Sequence, residues 1–338
     1  MAKDAVTPTL ITIIFILFTG LYGFVKFSYE KGHADAAHVN IIPTTTEISP
    51  SVLPIPTPAD HDNIGLKNST RPLFTYVYTE SPNARMNLIF FLSNGLHGAA
   101  DFIFILNGPT DAANLIPDRT NIQVVSRSNE CSYLTAHSEV LRKDGLWKKY
   151  NRFIMLNAEV RGPFMPFWSR SCWSDVFIDR ITEEIKLVGM KVTCLPSFHI
   201  ESMVWATDTI GMELLLDPPK GSSVSDTLNE NQDQVVASGG LSSKTKEVVY
   251  SEIEATRMIM SAGYKVDILM PSFPRIEYHE EICAKGSAKD VAFGQQDNIH
   301  PYETVFVKTS HDTDSTTVAR LTDWHQSRVI NGSWDVCH

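Results

Sequence analysis

No cluster of five or more basic residues occurs anywhere in the 338-residue chain, and the net charge is −10. This excludes the usual nucleic-acid binder, whose affinity for a phosphate backbone comes mainly from clustered Lys and Arg. Cysteine is scarce: Cys131, Cys172, Cys194, Cys283 and Cys337. No two of them are spaced as CxxC, which argues against a zinc ribbon. Neither GxSxG nor HExxH is present, so a hydrolase reading finds little support. There is no internal repeat.

What is present begins with an apolar run. Ala5 to Val25 carries no charge, and its centre, LITIIFILFTGLYGFV, is almost wholly apolar. That is about the length a bilayer core needs and longer than a usual signal-peptide core. Residues 1–32 are read as a cytosolic tip and an uncleaved transmembrane signal anchor, with the lipid bilayer meeting residues 5–25. Lysines on both sides leave the orientation undecided by charge. The sequons Asn68-Ser69-Thr70 and Asn331-Gly332-Ser333, and the cysteines, favour a lumenal C-terminal side. One or two disulfides fit such a compartment; five buried thiols are the other reading. Residues 33–72, with IIPTTTEISPSVLPIPTPAD, read as a disordered Pro/Thr-rich stem.

The folded domain is expected over residues 73–310, with a mobile insertion near 217–246 and a tail from 311 to 338. Strands are expected at 74–78, 101–106, 122–126, 152–156, 186–194, 264–270 and 302–308, with 201–207 a strand or a helix entry. Helices are expected at 82–97, 134–150, 173–184, 208–216 and 248–262. Alternating strands and helices predict an α/β fold with a parallel or mixed sheet.

The stretch YNRFIMLNAEVRGPFMP, Tyr150 to Pro166, is the centre of this pattern. Arg152 to Leu156 has the length and two-sided apolarity of a central strand. Asn157, Glu159, Arg161, Gly162 and Pro163 follow at once. Ligands of open α/β sheets bind outside the carboxyl ends of the strands, so a polar ligand is expected here. A strand followed by a plain surface turn is the alternative.

An ordered series joins this stretch to others: Arg127-x-Asn129-x-Cys131, LNAEVRGPFMP at 156–166, Ile185 to Gly189, Trp205-Ala206-Thr207-Asp208 with Gly211, and His300-Pro301-Tyr302-Glu303. The series resembles a family of eukaryotic glycosyltransferase-like membrane proteins of fungi, algae and plants. That family is distantly similar to bacterial rhamnan-synthesis type F glycosyltransferases. The resemblance spans roughly Leu73 to Lys308. It implies a GT-A-like fold, a mixed and mostly parallel sheet flanked by helices, and a Golgi or ER enzyme with a lumenal catalytic domain. The donor would be a nucleotide sugar, and the acceptor a glycan or glycoprotein.

The resemblance also assigns roles. Arg127, Asn129, Asn157, Glu159, Arg161 and His300 would bind the donor, and Glu159 and His300 would hold a divalent cation, Mn²⁺ or Mg²⁺. Asp208, then Glu201, are the candidates for the catalytic base. Each has a plainer alternative: a salt bridge for Arg161, a helix N-cap for Asp208, an exposed loop position for His300. His199 and Glu201 form a softer pair that could face the acceptor. The aromatic residues of PFMPFWSRSCW offer a sugar-stacking platform or core packing. The family pattern has an Asp where this chain has Tyr133, and Asn157-Ala158-Glu159 is not Asp-x-Asp. Those departures support a second reading, a non-catalytic membrane-anchored relative that binds glycans or a protein partner.

Overall fold

A computed structural model of the chain describes residues 71–128, 132–194, 197–217, 243–269, 304–309, 315–328 and 332–338. All belong to one compact unit, Ile64–His338. Among the described residues no helix is long and apolar enough to cross a membrane. The expected span at 5–25, all but the last two residues of the stem, Asn129, His300 and most of the 217–246 insertion lie outside the described residues.

Seven strands form the main sheet: β1 (Leu73–Tyr78), β2 (Asp101–Asn107), β3 (Ile122–Arg127), β4 (Arg152–Asn157), β6 (Ile185–Gly189), β9 (Val204–Asp208) and β10 (Lys265–Ile268). Their spatial order is β10-β6-β9-β4-β1-β2-β3. Pairings β1–β2, β2–β3, β1–β4 and β6–β10 are parallel, while β9 runs antiparallel between β4 and β6. The expected α/β class with a mixed, mostly parallel sheet is therefore what the chain adopts. Two short antiparallel pairs accompany it: β5 (Val160–Arg161) with β11 (Val307–Lys308), and β7 (Val192–Thr193) with β8 (His199–Ile200).

The central strands are apolar on both faces because both faces are covered. Phe74, Tyr76, Tyr78, Ile154 and Leu156 pack with helix α1 (Pro82–Asn94) and the short helix α3 (Asp175–Ile178). Leu73, Val77, Phe153 and Met155 face the other way. They meet α2 (Tyr133–Arg142), α4 (Thr209–Leu216) and α5 (Ser243–Ser261). Helix α1 starts where Ser81 accepts a hydrogen bond from the Ala84 amide, with Pro82 in the first turn.

Several elements differ from the sequence pattern. The helix expected over 134–150 stops at Arg142, because Asp144 and Gly145 take φ of 53° and 63° and a 3₁₀ stretch follows. The helix expected over 173–184 is one turn. There the Thr182 side chain accepts from the amides of Glu184 and Ile185 and turns the chain into β6. The strand expected over 186–194 breaks after Gly189 and restarts as β7. The segment past 310 carries helices α6 (Ser315–Arg328) and α7 (Ser333–Val336). Helix α6 packs Val318 and Leu321 with Phe90, Phe164 and Val307, and a disulfide joins Cys337 to Cys172.

Candidate functional site

Strand β1 has β2 on one side and β4 on the other, so the chain reverses its direction of sheet growth between β1 and β4. Such a switch point opens a crevice at the carboxyl ends of the two strands. Asn157 ends β4 there, and Ala158 and Glu159 follow in the turn. The Ala158 amide donates to the Val77 carbonyl of β1 at 3.0 Å. The Asn157 side chain turns back and accepts from the Glu159 amide at 3.0 Å. This local turn holds a buried Asn and a half-buried Glu just beyond the sheet.

The antiparallel course of β9 decides what joins them. Leu156 is level with Val204, and the Asn157 amide donates to the Met203 carbonyl at 3.2 Å. Glu201 and Ser202, which lead into β9, therefore sit at the same edge as Glu159. Arg127, at the end of β3, sits there too, donating to Asn107 at 3.0 Å and paired with Glu139. Asp208 ends β9 and lies opposite Arg152, the first residue of β4. Five residues of extended strand, about 16 Å, separate that level from Asn157.

Asp208 has a full set of structural partners. Its side chain accepts from the Gly211 amide at 3.0 Å and caps α4. It also takes the buried Lys186 ammonium at 2.6 Å. Arg161 follows Glu159 by two residues, but its side chain turns away into the protein. It donates to Asn87 of α1 at 3.0 Å and to Thr322 of α6 at 3.2 Å. Asn87 in turn donates to the Ala158 carbonyl at 2.9 Å and to Thr309 at 2.7 Å. Arg161 thus ties two helices to the β5–β11 pair. Gly162 lets this pair close: its φ is 155°, and a Cβ there would stand 2.4 Å from the Phe306 ring.

Four residues that the sequence did not single out as site residues complete the edge. Lys191 and Lys308 each reach Glu201, one to each carboxylate oxygen, both at 3.1 Å. Burial acts to raise the Glu201 carboxyl, but Lys308 and Lys191 outweigh it and hold the group below the ordinary carboxylate range. Burial acts to lower the Lys308 ammonium, and Glu201 and Glu159 together more than reverse this. Tyr133, at the start of α2, donates its hydroxyl to the Glu159 carboxylate, and burial and then that carboxylate push its pKa up. Glu252 of α5 accepts from the Ser202 amide at 2.5 Å, and burial pushes its carboxyl up to about 7. No local motif marks these residues; only the arrival of Glu201 between Lys191 and Lys308, 107 positions downstream, gives them a shared role.

The group offers little to a divalent cation. Both oxygens of Glu201 face ammonium groups, and the Asn157 oxygen is engaged by an amide. Among the described residues that leaves Glu159, one oxygen donor for an ion that wants several; His300, expected beside it, lies outside them. His97, Cys172 and Cys337 lie close together elsewhere, but those sulfurs form a disulfide and are not thiolate ligands. No protein-family model matches the chain, and no curated protein matches it.

Proposed function

We propose that the chain is a membrane-anchored, lumenal glycosyltransferase of GT-A-like fold, taking a sugar from a nucleotide donor to a glycan or glycoprotein in the Golgi or ER. The observation that carries this reading is the convergence of Asn157, Glu159, Lys191, Glu201 and Lys308 at the carboxyl edge beside the β1–β4 switch point, with Arg127 farther along the same edge at the end of β3. Lys191, Lys308 and Arg127 provide cationic donors for a diphosphate without a bound metal. Within this proposal the base belongs to Glu201, because it shares that edge and Asp208 does not. A donor phosphate that draws Lys191 or Lys308 away would release the carboxylate and raise its affinity for a proton.

The second reading, a non-catalytic relative, draws on three residues whose side chains already have partners. Arg161 is committed to Asn87 and Thr322, Glu159 to Tyr133, and Glu201 to two lysines. Release of the nucleotide by the full chain, a nucleoside diphosphate from UDP-, GDP- and dTDP-linked sugars and CMP from CMP-linked sugars, separates the two. Release with one donor class, lost in Glu159→Ala with an unchanged melting temperature, supports the transferase. No release with any donor favours the binding relative.

A further inference from the structure

A second cavity, of about 410 Å³, lies away from this edge, at the carboxyl end of α1. Asn94, seven residues along α1 from the Asn87 that contacts Ala158, lines it. So do Phe167 and Trp168, whose side chains are 61% and 69% exposed, the two largest exposures among the large hydrophobic residues described. Arg170 is also in the wall; among the described residues it makes no ion pair, and none of those lining the cavity is Asp or Glu.

We infer that this cavity is a saccharide-binding site, separate from the proposed catalytic edge and independent of whether that edge is active. A sugar ring needs an aromatic plane for its C–H face and polar groups for its hydroxyls. The wall supplies both: Trp168 and Phe167 offer aromatic faces, and Asn94, Ser169 and Ser333 bring polar side chains, each of which also holds one hydrogen bond within the protein. Its size falls within the range of small-ligand pockets. In a chain of net charge −10, a wall whose described residues include one arginine and no carboxylate selects neutral or acidic sugars over cationic ligands. The part of the wall around Cys172, Trp173 and Cys337 is held in place before any ligand arrives. The Cys172–Cys337 disulfide joins its two halves, and the Trp173 indole donates to the Gly95 carbonyl at 2.9 Å.

Two sources can supply the sugar. One is a free glycan. The other is a glycan on the chain's own sequon at 331–333, because Gly332 and Ser333 of that sequon line the cavity. The test is calorimetric titration of the full chain, made in a glycosylating host and kept in a detergent without a sugar headgroup. The probes are chitotetraose, mannotetraose and tetragalacturonate, each against wild type and Asn331→Gln. Binding to wild type identifies a free glycan as the ligand. Binding seen only in Asn331→Gln identifies the chain's own glycan as the occupant. In whichever background binds, Trp168→Ala is expected to weaken it about tenfold or more with the melting temperature unchanged. Arg170→Ala should weaken tetragalacturonate alone. No binding of any probe in either background, or full binding by Trp168→Ala, overturns the inference.

Discussion

His199 Nε2 faces Glu252 Oε2 at 3.5 Å, with both side chains buried behind the carboxyl edge. His199 Nδ1 lies 2.7 Å from the Ser197 carbonyl, which can only accept, so Nδ1 carries the proton and Nε2 is bare. Burial keeps the imidazole neutral by pushing its pKa down. A protonated Glu252 therefore suits its neighbour better than a carboxylate does.

The consequence is a pH-dependent stability. The Glu252 carboxyl rises from an ordinary 4.5 to about 7 on folding. A raised folded value means that its contribution is fully present below 4.5 and is lost as pH rises through 7, a change of about 3 kcal/mol. Glu252→Gln removes this slope. Chemical denaturation at pH 5 and pH 8 should show the variant gaining that amount relative to wild type. Parallel pH profiles contradict the assignment.

His97 gives the opposite sign. It is fully buried among Phe74, Phe102 and Trp173, neither ring nitrogen has a hydrogen-bond partner, and burial pushes its pKa down to about 4. A depressed folded value contributes stability above the unfolded 6.5 and loses it as pH falls through 4. His97→Phe should flatten the acid limb of the stability profile by up to about 3 kcal/mol. An unchanged acid limb would mean that the ring is already protonated or solvated.

Asp208 is expected to act on stability and not on donor binding. Asp208→Ala removes a helix cap and leaves the buried Lys186 ammonium with the Thr182 carbonyl but no carboxylate, a combined cost of about 3 kcal/mol or more. Asp208→Asn keeps a capping oxygen and should lose less. Nucleotide affinity should be unchanged in both. If Asp208→Asn melts like wild type, binds donor and fails to turn over, the residue acts in the chemistry after all.

Arg161 separates architecture from ligand binding in the same way. Arg161→Ala should destabilise by about 2–4 kcal/mol, because it strips hydrogen bonds from buried Asn87 and from Thr322. Lys, with one nitrogen, cannot span both partners, so Arg161→Lys should rescue little. Thermal unfolding checks this. A wild-type melting temperature combined with weakened nucleotide binding would return Arg161 to the donor site.

The central strands were legible because two-sided burial writes continuous apolar runs such as Leu73 to Tyr78 and Arg152 to Leu156. The polar turn after β4 was legible for the same reason, as an abrupt change of residue type. The spatial place of β9 was not. Its sequence, VWATD, does not encode that it runs antiparallel between β4 and β6. That single orientation puts Glu201 beside Glu159 and sends Asp208 to the far edge. Lys191 and Lys308 were illegible for a related reason: an isolated lysine carries no signal until the fold supplies its carboxylate.

The most direct test of a donor site at the carboxyl edge is a thermal-shift panel on the full chain with UDP, GDP, dTDP and CMP, each with and without Mn²⁺. A ligand at a hundred times its dissociation constant stabilises by about 2.7 kcal/mol, which raises the melting temperature of a domain this size by a few degrees. A shift with one nucleotide, present without Mn²⁺ and reduced in Lys308→Met, is the expected result. A well-folded sample that shifts with none of the four contradicts the donor site.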